Sequence, residues 1–181
     1  DPQDWLDAIG ACWAELVARC GPVRLRAVGV CSQVNTHLLA DAALRPVTPA
    51  ITWQDLRAAP EAAEIDAAAA PRRTELWGGP FTADASFSLS RALWVRRHDP
   101  AAWAAARWIL SPKDLVVARL TGEVVTDALS PIGVVGPGDA YLPEVLALVP
   151  GSERLLPPIR PFDSAAGQTL PDGPAGLPAG V

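Results

Sequence analysis

Trp5, Ile9, Trp13, Leu16 and Val17 recur at helical intervals behind Asp1-Pro2, which predicts an amphipathic helix ended by Gly21-Pro22. Asp1 is placed to cap it, and Pro2 suits the first helical position, where its missing N–H costs nothing. The pattern then turns β-like. Leu25 to Val30 predicts a strand, with Arg24 and Arg26 marking it as not buried throughout. Thr36 to Ala40 predicts a second strand, Asp41 to Pro46 the turn after it, and Ile51-Thr52-Trp53 a third strand. Arg57 to Ala70 is alanine-rich and predicts a helix with Pro60 in its first turn. Thr74 to Ala85 reads as irregular around Gly78-Gly79-Pro80. Leu89, Leu93 and Trp94 then predict a helix over Ser86 to His98, and Asp99-Pro100 closes it and opens a shorter one. Trp108-Ile109-Leu110 predicts a strand. Ser111-Pro112-Lys113-Asp114 opens a helix to about Leu120, stopped by Thr121-Gly122. Beyond Gly136 the chain is rich in Pro and Gly, with one helix expected from about Leu142 to Leu148. No internal repeat is visible. Strands interleaved with helices predict an α/β domain, with Trp5, Trp13, Trp94, Trp103 and Trp108 in its core.

Composition narrows the classes. Half of the 181 residues are hydrophobic and 19% are charged, a globular balance with enough chain for one domain and its core, or a domain with an incomplete partner. The net charge of −5 and pI of about 4.9 argue against a nucleic acid or an anionic membrane surface as partner. No apolar run reaches membrane-spanning length, and no signal-peptide pattern opens the chain. Cys12, Cys20 and Cys31 lack paired spacing and only His37 and His98 join them, which disfavours a structural zinc site or a disulfide framework. Reduced thiols fit a cytoplasmic protein. The chain has no methionine, and Gly176 to Val181 stops within a turn-to-strand transition. The expectation is a piece of a longer protein, with sequence missing at both ends.

Two segments carry candidate chemistry. Pro49 to Ala58 packs the Trp53 indole, the Gln54 amide, the Asp55 carboxylate and the Arg57 guanidinium into five residues. An indole face stacks on an apolar face of a sugar or polyol while the polar groups meet its hydroxyls. Alternatively, Asp55 and Arg57 pair with each other, or Asp55 caps the helix that follows. The second segment is Gly29-Val30-Cys31-Ser32-Gln33-Val34-Asn35-Thr36, a strand end with small and amide-bearing residues, where open α/β sheets bind ligands. A plain polar connection between strands is the other reading.

In this order, the segments resemble the N-terminal domain of the FGGY carbohydrate kinases, nearest to the xylulokinase-like branch. Cys31-Ser32-Gln33-Val34-Asn35-Thr36 is similar to that family's Ser-Gly-Gln-Met-His-Gly-like segment. Leu39-Ala40-Asp41, Arg45-Pro46 and Ile51-Thr52-Trp53-Gln54-Asp55-Leu56-Arg57 follow as its Leu-Leu-Asp turn, Arg-Pro and Ile-Leu-Trp-Asn-Asp-x-Arg-like residues do. Asp84 to Ser88 with Leu93-Trp94 resembles the loop and helix behind the sugar site. Ser111 to Leu115 with Arg119-Leu120-Thr121-Gly122-Glu123 and Thr126-Asp127 resembles the Pro-Lys-Asp-Tyr…Leu-Thr-Gly…Thr-Asp segment. Leu155-Leu156-Pro157-Pro158 and Gly176 to Gly180 fall where the family has similar stretches.

The resemblance implies a ribonuclease H-like, actin/hexokinase-like ATPase fold, incomplete at both ends. Residues 1–181 would be a partial N-terminal domain carrying the sugar-binding half, and the nucleotide-binding C-terminal domain would lie outside. Gln33, Val34 and Asn35 would line the sugar with Trp53 as a wall, while Asp55 and Arg57 sit at the rim or brace it. Asn35 stands where the family has a sugar-binding His, an amide-for-imidazole exchange that keeps a donor and an acceptor but loses a titratable group, and Val34 stands where it has Met or Arg. The implied reaction is phosphorylation of a ketose or polyol hydroxyl by ATP with Mg2+, in a complete protein that is expected to be cytoplasmic and a homodimer. No catalytic residue is expected before Val181, because the general base belongs to a later Gly-Gly-Asp-like turn; the fragment alone would be inactive, needing nucleotide, metal and base together. The alternative is a non-catalytic sugar-binding or regulatory relative. Lys113 and Asp114 read as a helix start rather than as phosphate ligands, and His37 as structural.

Overall fold

Helix α4, Ser88–His98, is buried at seven of its eleven positions and the other elements are arranged around it. The structure is a computed structural model describing residues 1–181. Before α4 come helix α1 (Gln3–Cys20), strand β1 (Leu38–Ala40), helix α2 (Ala59–Ala69) and helix α3 (Arg73–Trp77). After it come α5 (Pro100–Ala105), β2 (Trp108–Leu110), α6 (Pro112–Thr121), β3 (Val135–Gly136), β4 (Ala140–Tyr141) and α7 (Pro143–Leu146). Strands β1 and β2 pair antiparallel, with Leu39 opposite Ile109, and β3 pairs with β4 in the same sense.

Residues three or four apart on α4 share a face, and its two faces feed two apolar clusters. Leu89 and Leu93 pack with Ile65, Leu76, Phe87, Val134, Val145 and Val149. Ala92 and Val95 pack with Leu39, Ile51, Ile109 and Leu155. Each fully buried Leu or Val contributes about 1.5–3 kcal/mol. Helix α1 docks more lightly, through Leu6 against Val116 and Leu120 of α6 and against Ala175.

The helix ends follow their sequence signals. Asp1 Oδ1 accepts from Gln3 N at 2.9 Å. Asp99 caps α5 by accepting from Ala102 N at 2.9 Å. Ser111 and Asp114 form a reciprocal capping box at α6, which Gly122 ends in the left-handed conformation at φ 80°.

Four expectations change. Residues 25–30 are not a strand: no backbone–backbone hydrogen bond joins residues 22–36 to any other segment, so no ladder forms there. The third strand shrinks to Ile51, which bridges His37. The segment read as irregular from Thr74 begins with α3, whose C-cap is Gly78 at φ 68°. The tryptophans expected in the core are only half-buried. Large rings seldom vanish entirely, and three of these are covered by guanidinium groups: Arg57 over Trp94, Arg107 over Trp108 and Arg154 over Trp103.

Candidate sugar-facing site

A hairpin brings the two candidate segments together. His37 and Ile51 exchange backbone hydrogen bonds, His37 N to Ile51 O at 3.0 Å and Ile51 N to His37 O at 2.8 Å. Residues 33–36 therefore run beside residues 52–53. Thr36 Oγ1 accepts from Trp53 N at 3.3 Å and tightens the contact.

Below the hairpin lies Arg91 of α4, completely buried. Its Nη1 donates to Asn35 O and to His37 Nδ1, the latter at 2.9 Å. Nη2 donates to Thr52 O at 2.5 Å, and Nε donates to Ala85 O at 3.2 Å. Burial lowers the Arg91 pKa to about 10, opposed by the nearby Asp55 and Asp84 carboxylates, and the group remains charged at neutral pH. His37 is pushed down to about 3, first by burial and then by the Arg91 charge. It is therefore neutral, with Nδ1 accepting from Arg91 and the ring proton on Nε2.

The folded value lies below the unfolded value of 6.5, so the unfolded chain binds this proton first. The His37 contribution is whole above pH 6.5 and is lost as the pH falls toward 3, by up to about 1.4 kcal/mol per pH unit. Urea unfolding between pH 7.5 and 4.5 is expected to show that loss. His37→Asn, which keeps an acceptor without titrating, is expected to flatten the profile below pH 6.5.

Of the predicted residues, Asn35 and Trp53 are drawn to one place by Arg91 and Thr36. Asn35 is half-buried in the left-handed region at φ 58°, a conformation that asparagine tolerates better than most residues, and its side-chain amide makes no hydrogen bond within the chain. Trp53 keeps 51% of its surface exposed. Gln33 and Val34 also reach solvent, and Gln33 Nε2 makes only a 3.3 Å bond to Val34 O. Asp55 and Arg57 spend their charges on each other: Nε reaches both carboxylate oxygens at 3.0 and 2.9 Å, and Nη2 adds a contact at 2.7 Å. The Arg57 side-chain bonds are the main reason that the Asp55 pKa is lowered.

Sequence reasoning missed Arg91. The signal was available: Ser88, Arg91, Ala92 and Val95 share one helix face, and a cation amid apolar neighbours on that face must be partnered inside the protein.

A second polar cluster starts at α6. Lys113 Nζ binds Asp114 Oδ1 and, at 2.9 Å, Asp127 Oδ2. Asp114 Oδ2 also accepts from Ser111 N at 3.0 Å and from Thr126 Oγ1 at 3.2 Å. Burial alone would lower the Lys113 pKa, but the two carboxylates outweigh it and raise the pKa. Burial likewise opposes Asp127, whose pKa is nevertheless lowered by Lys113 and by the Ser130 and Leu129 amides. Lys113 N donates to Ser32 Oγ at 3.1 Å, tying this cluster to the segment that leads to Asn35. A cavity of about 760 Å³ lies beside it, along residues 26–30, α6 and residues 160–169. It includes neither Asn35 nor Trp53.

A family model described as the FGGY family of carbohydrate kinases, N-terminal domain, matches residues 1–180. The chain belongs to the FGGY family of carbohydrate kinases. Among FGGY relatives, a xylulose kinase of Streptomyces coelicolor is 36% identical over 98% of this chain and 37% of its own length. One from Streptomyces rubiginosus is 31% identical over 91% of this chain and 35% of its own. The chain thus spans about a third of the length of these relatives. The crystal structure of xylulose kinase from Rhodospirillum rubrum superposes with a TM-score of 0.87 at 25% identity, covering 99% of this chain and 38% of the other. That of a xylulose kinase from Brucella ovis gives 0.85 at 28% identity, covering 95% and 36%. The fold is that of the FGGY sugar kinases, actin/hexokinase-like ATPases, over their N-terminal domain. No helix of the FGGY chain is long and apolar enough to cross a membrane.

Proposed function

We propose that residues 1–181 form the sugar-binding wall of an ATP-dependent kinase that, as a complete protein, phosphorylates a hydroxyl of a ketose or polyol, xylulose-like in shape. The observation that carries this reading is the Arg91-braced hairpin, on which the Asn35 and Thr52 carbonyls share one guanidinium, with the Asn35 amide unpaired and the neighbouring Trp53 exposed. The indole stacks on the C–H face of the sugar. The Asn35 and Gln33 amides exchange hydrogen bonds with its hydroxyls, and Val34 packs at the edge. Asp55 and Arg57 brace the wall, since their charges already neutralise each other. On this reading the nucleotide would be held by a C-terminal domain, and the general base would come from a later Gly-Gly-Asp-like turn of the complete protein. The family implies ATP with a divalent metal, which we take to be Mg2+ and which would neutralise charge on the transferring phosphoryl group. Residues 1–181 bring together no group of three or more His, Cys, Asp or Glu side chains that could hold a metal, and no step described here runs through one. The proposed setting is cytoplasmic and the complete protein a homodimer, with no nucleic acid or membrane partner.

A second reading, a non-catalytic sugar-binding relative, is favoured by Asn35 and Val34 standing where the family pattern has His and Met or Arg. ADP release by the complete protein across a panel of ketoses and polyols separates the two. Turnover with one pentulose or polyol well above the others is expected. Sugar binding without ADP release would favour the second reading, and neither binding nor release would remove both.

A further inference from the structure

We propose that Arg91 is the positioning residue of the sugar wall, fixing the Asn35 and Thr52 carbonyls relative to each other and so the spacing at which the Asn35 amide and the Trp53 indole meet one ligand. This rests on the sugar-wall reading above. The guanidinium is planar, with five N–H groups in a fixed fork. Here the fork spans three segments that are 39 to 56 residues from Arg91 or six residues before it: Thr52, the Asn35–His37 pair, and Ala85.

Every acceptor is a backbone carbonyl or the neutral His37 ring, and no carboxylate bonds to this buried cation. A buried charge without a bonded counter-ion is a poor source of stability, and an apolar side chain of similar volume would fill the space at lower cost. What an apolar residue cannot do is hold two carbonyls at a set separation. Of the three carbonyls that Arg91 holds, two belong to Asn35 itself and to Thr52, the residue before Trp53. Asn35 O is aimed at Arg91 by the left-handed backbone of Asn35, so losing the fork would release the backbone conformation that directs the Asn35 amide. His37 completes the arrangement because only its neutral ring accepts from Nη1. Arg91 has no exposed surface and touches no ligand; it acts only through the residues it holds.

The test uses the complete protein with Arg91→Met and Arg91→Lys. KM is measured separately for the sugar and for ATP, together with kcat and the melting temperature. Arg91→Met is expected to raise sugar KM at least tenfold while ATP KM stays within twofold. Arg91→Lys, a point donor able to reach only some of the same carbonyls, is expected to recover sugar KM in part, to about threefold above wild type. A folded Arg91→Met protein with a lower melting temperature and unchanged sugar KM would reduce Arg91 to a structural residue and overturn the proposal. If Arg91→Met does not fold, Arg91→Lys decides: sugar KM raised about threefold supports the proposal, and wild-type sugar KM overturns it. Wild-type protein that neither binds nor phosphorylates any sugar would remove the wall itself and the proposal with it, an outcome distinct from turnover that is indifferent to Arg91.

Discussion

Removing the Asp114 carboxylate is expected to destabilise the chain by about 3 kcal/mol, measured as the free energy of urea unfolding at pH 7. Asp114 is buried and holds three partners: the Ser111 amide, the Thr126 hydroxyl and the Lys113 ammonium. Alanine there leaves the first two without an acceptor and Lys113 with Asp127 alone, and it removes half of the α6 capping box. Each abandoned buried donor costs about 1–3 kcal/mol, and a lost cap about 1 kcal/mol. Asp114→Asn keeps one acceptor oxygen and is expected to recover about half of the loss. A change below about 1 kcal/mol for alanine would mean that solvent replaces these partners and that the cluster is not closed.

The second large effect is functional. Trp53→Ala in the complete protein is expected to raise sugar KM about thirtyfold, corresponding to about 2 kcal/mol of lost stacking and apolar contact. Because half of the ring is already in solvent, stability is expected to change by no more than about 1 kcal/mol. Trp53→Phe is expected to fall between. Unchanged sugar KM in Trp53→Ala would remove the indole from the wall and leave Asn35 without its companion.

What the sequence disclosed tracks how local the physics is. The start and stop of α6 were readable from Ser111-Pro112-Lys113-Asp114 and Gly122, because caps are made by neighbours in the chain. The pairing of Asp55 with Arg57 was open as one alternative for the same reason. Residues 25–30 misled because β-rich composition promises a strand only when another segment supplies the ladder. Trp77 and Phe81, whose rings pack at 4.8 Å with a 31° tilt, belong to a stretch read as irregular, where a single turn of helix is too short to show periodicity. Asn35 and Trp53, proposed for the wall, were named from the sequence, whereas the group that joins their segments was not. Arg91 lies 56 residues from Asn35 and 39 from Thr52. Its role depends on contacts that no local pattern encodes.

The unpaired stretch before Asn35 also bears on how this chain behaves in concentrated solution. Val23, Leu25, Val28 and Val30 form a β-prone run whose main-chain donors and acceptors are free on both edges, a template for stacking one molecule on another. Arg24 and Arg26 lie two positions apart in that run and are both exposed, so pairing as an in-register extended stack would bring like charges together. In that position two arginines serve as gatekeepers against edge-to-edge pairing.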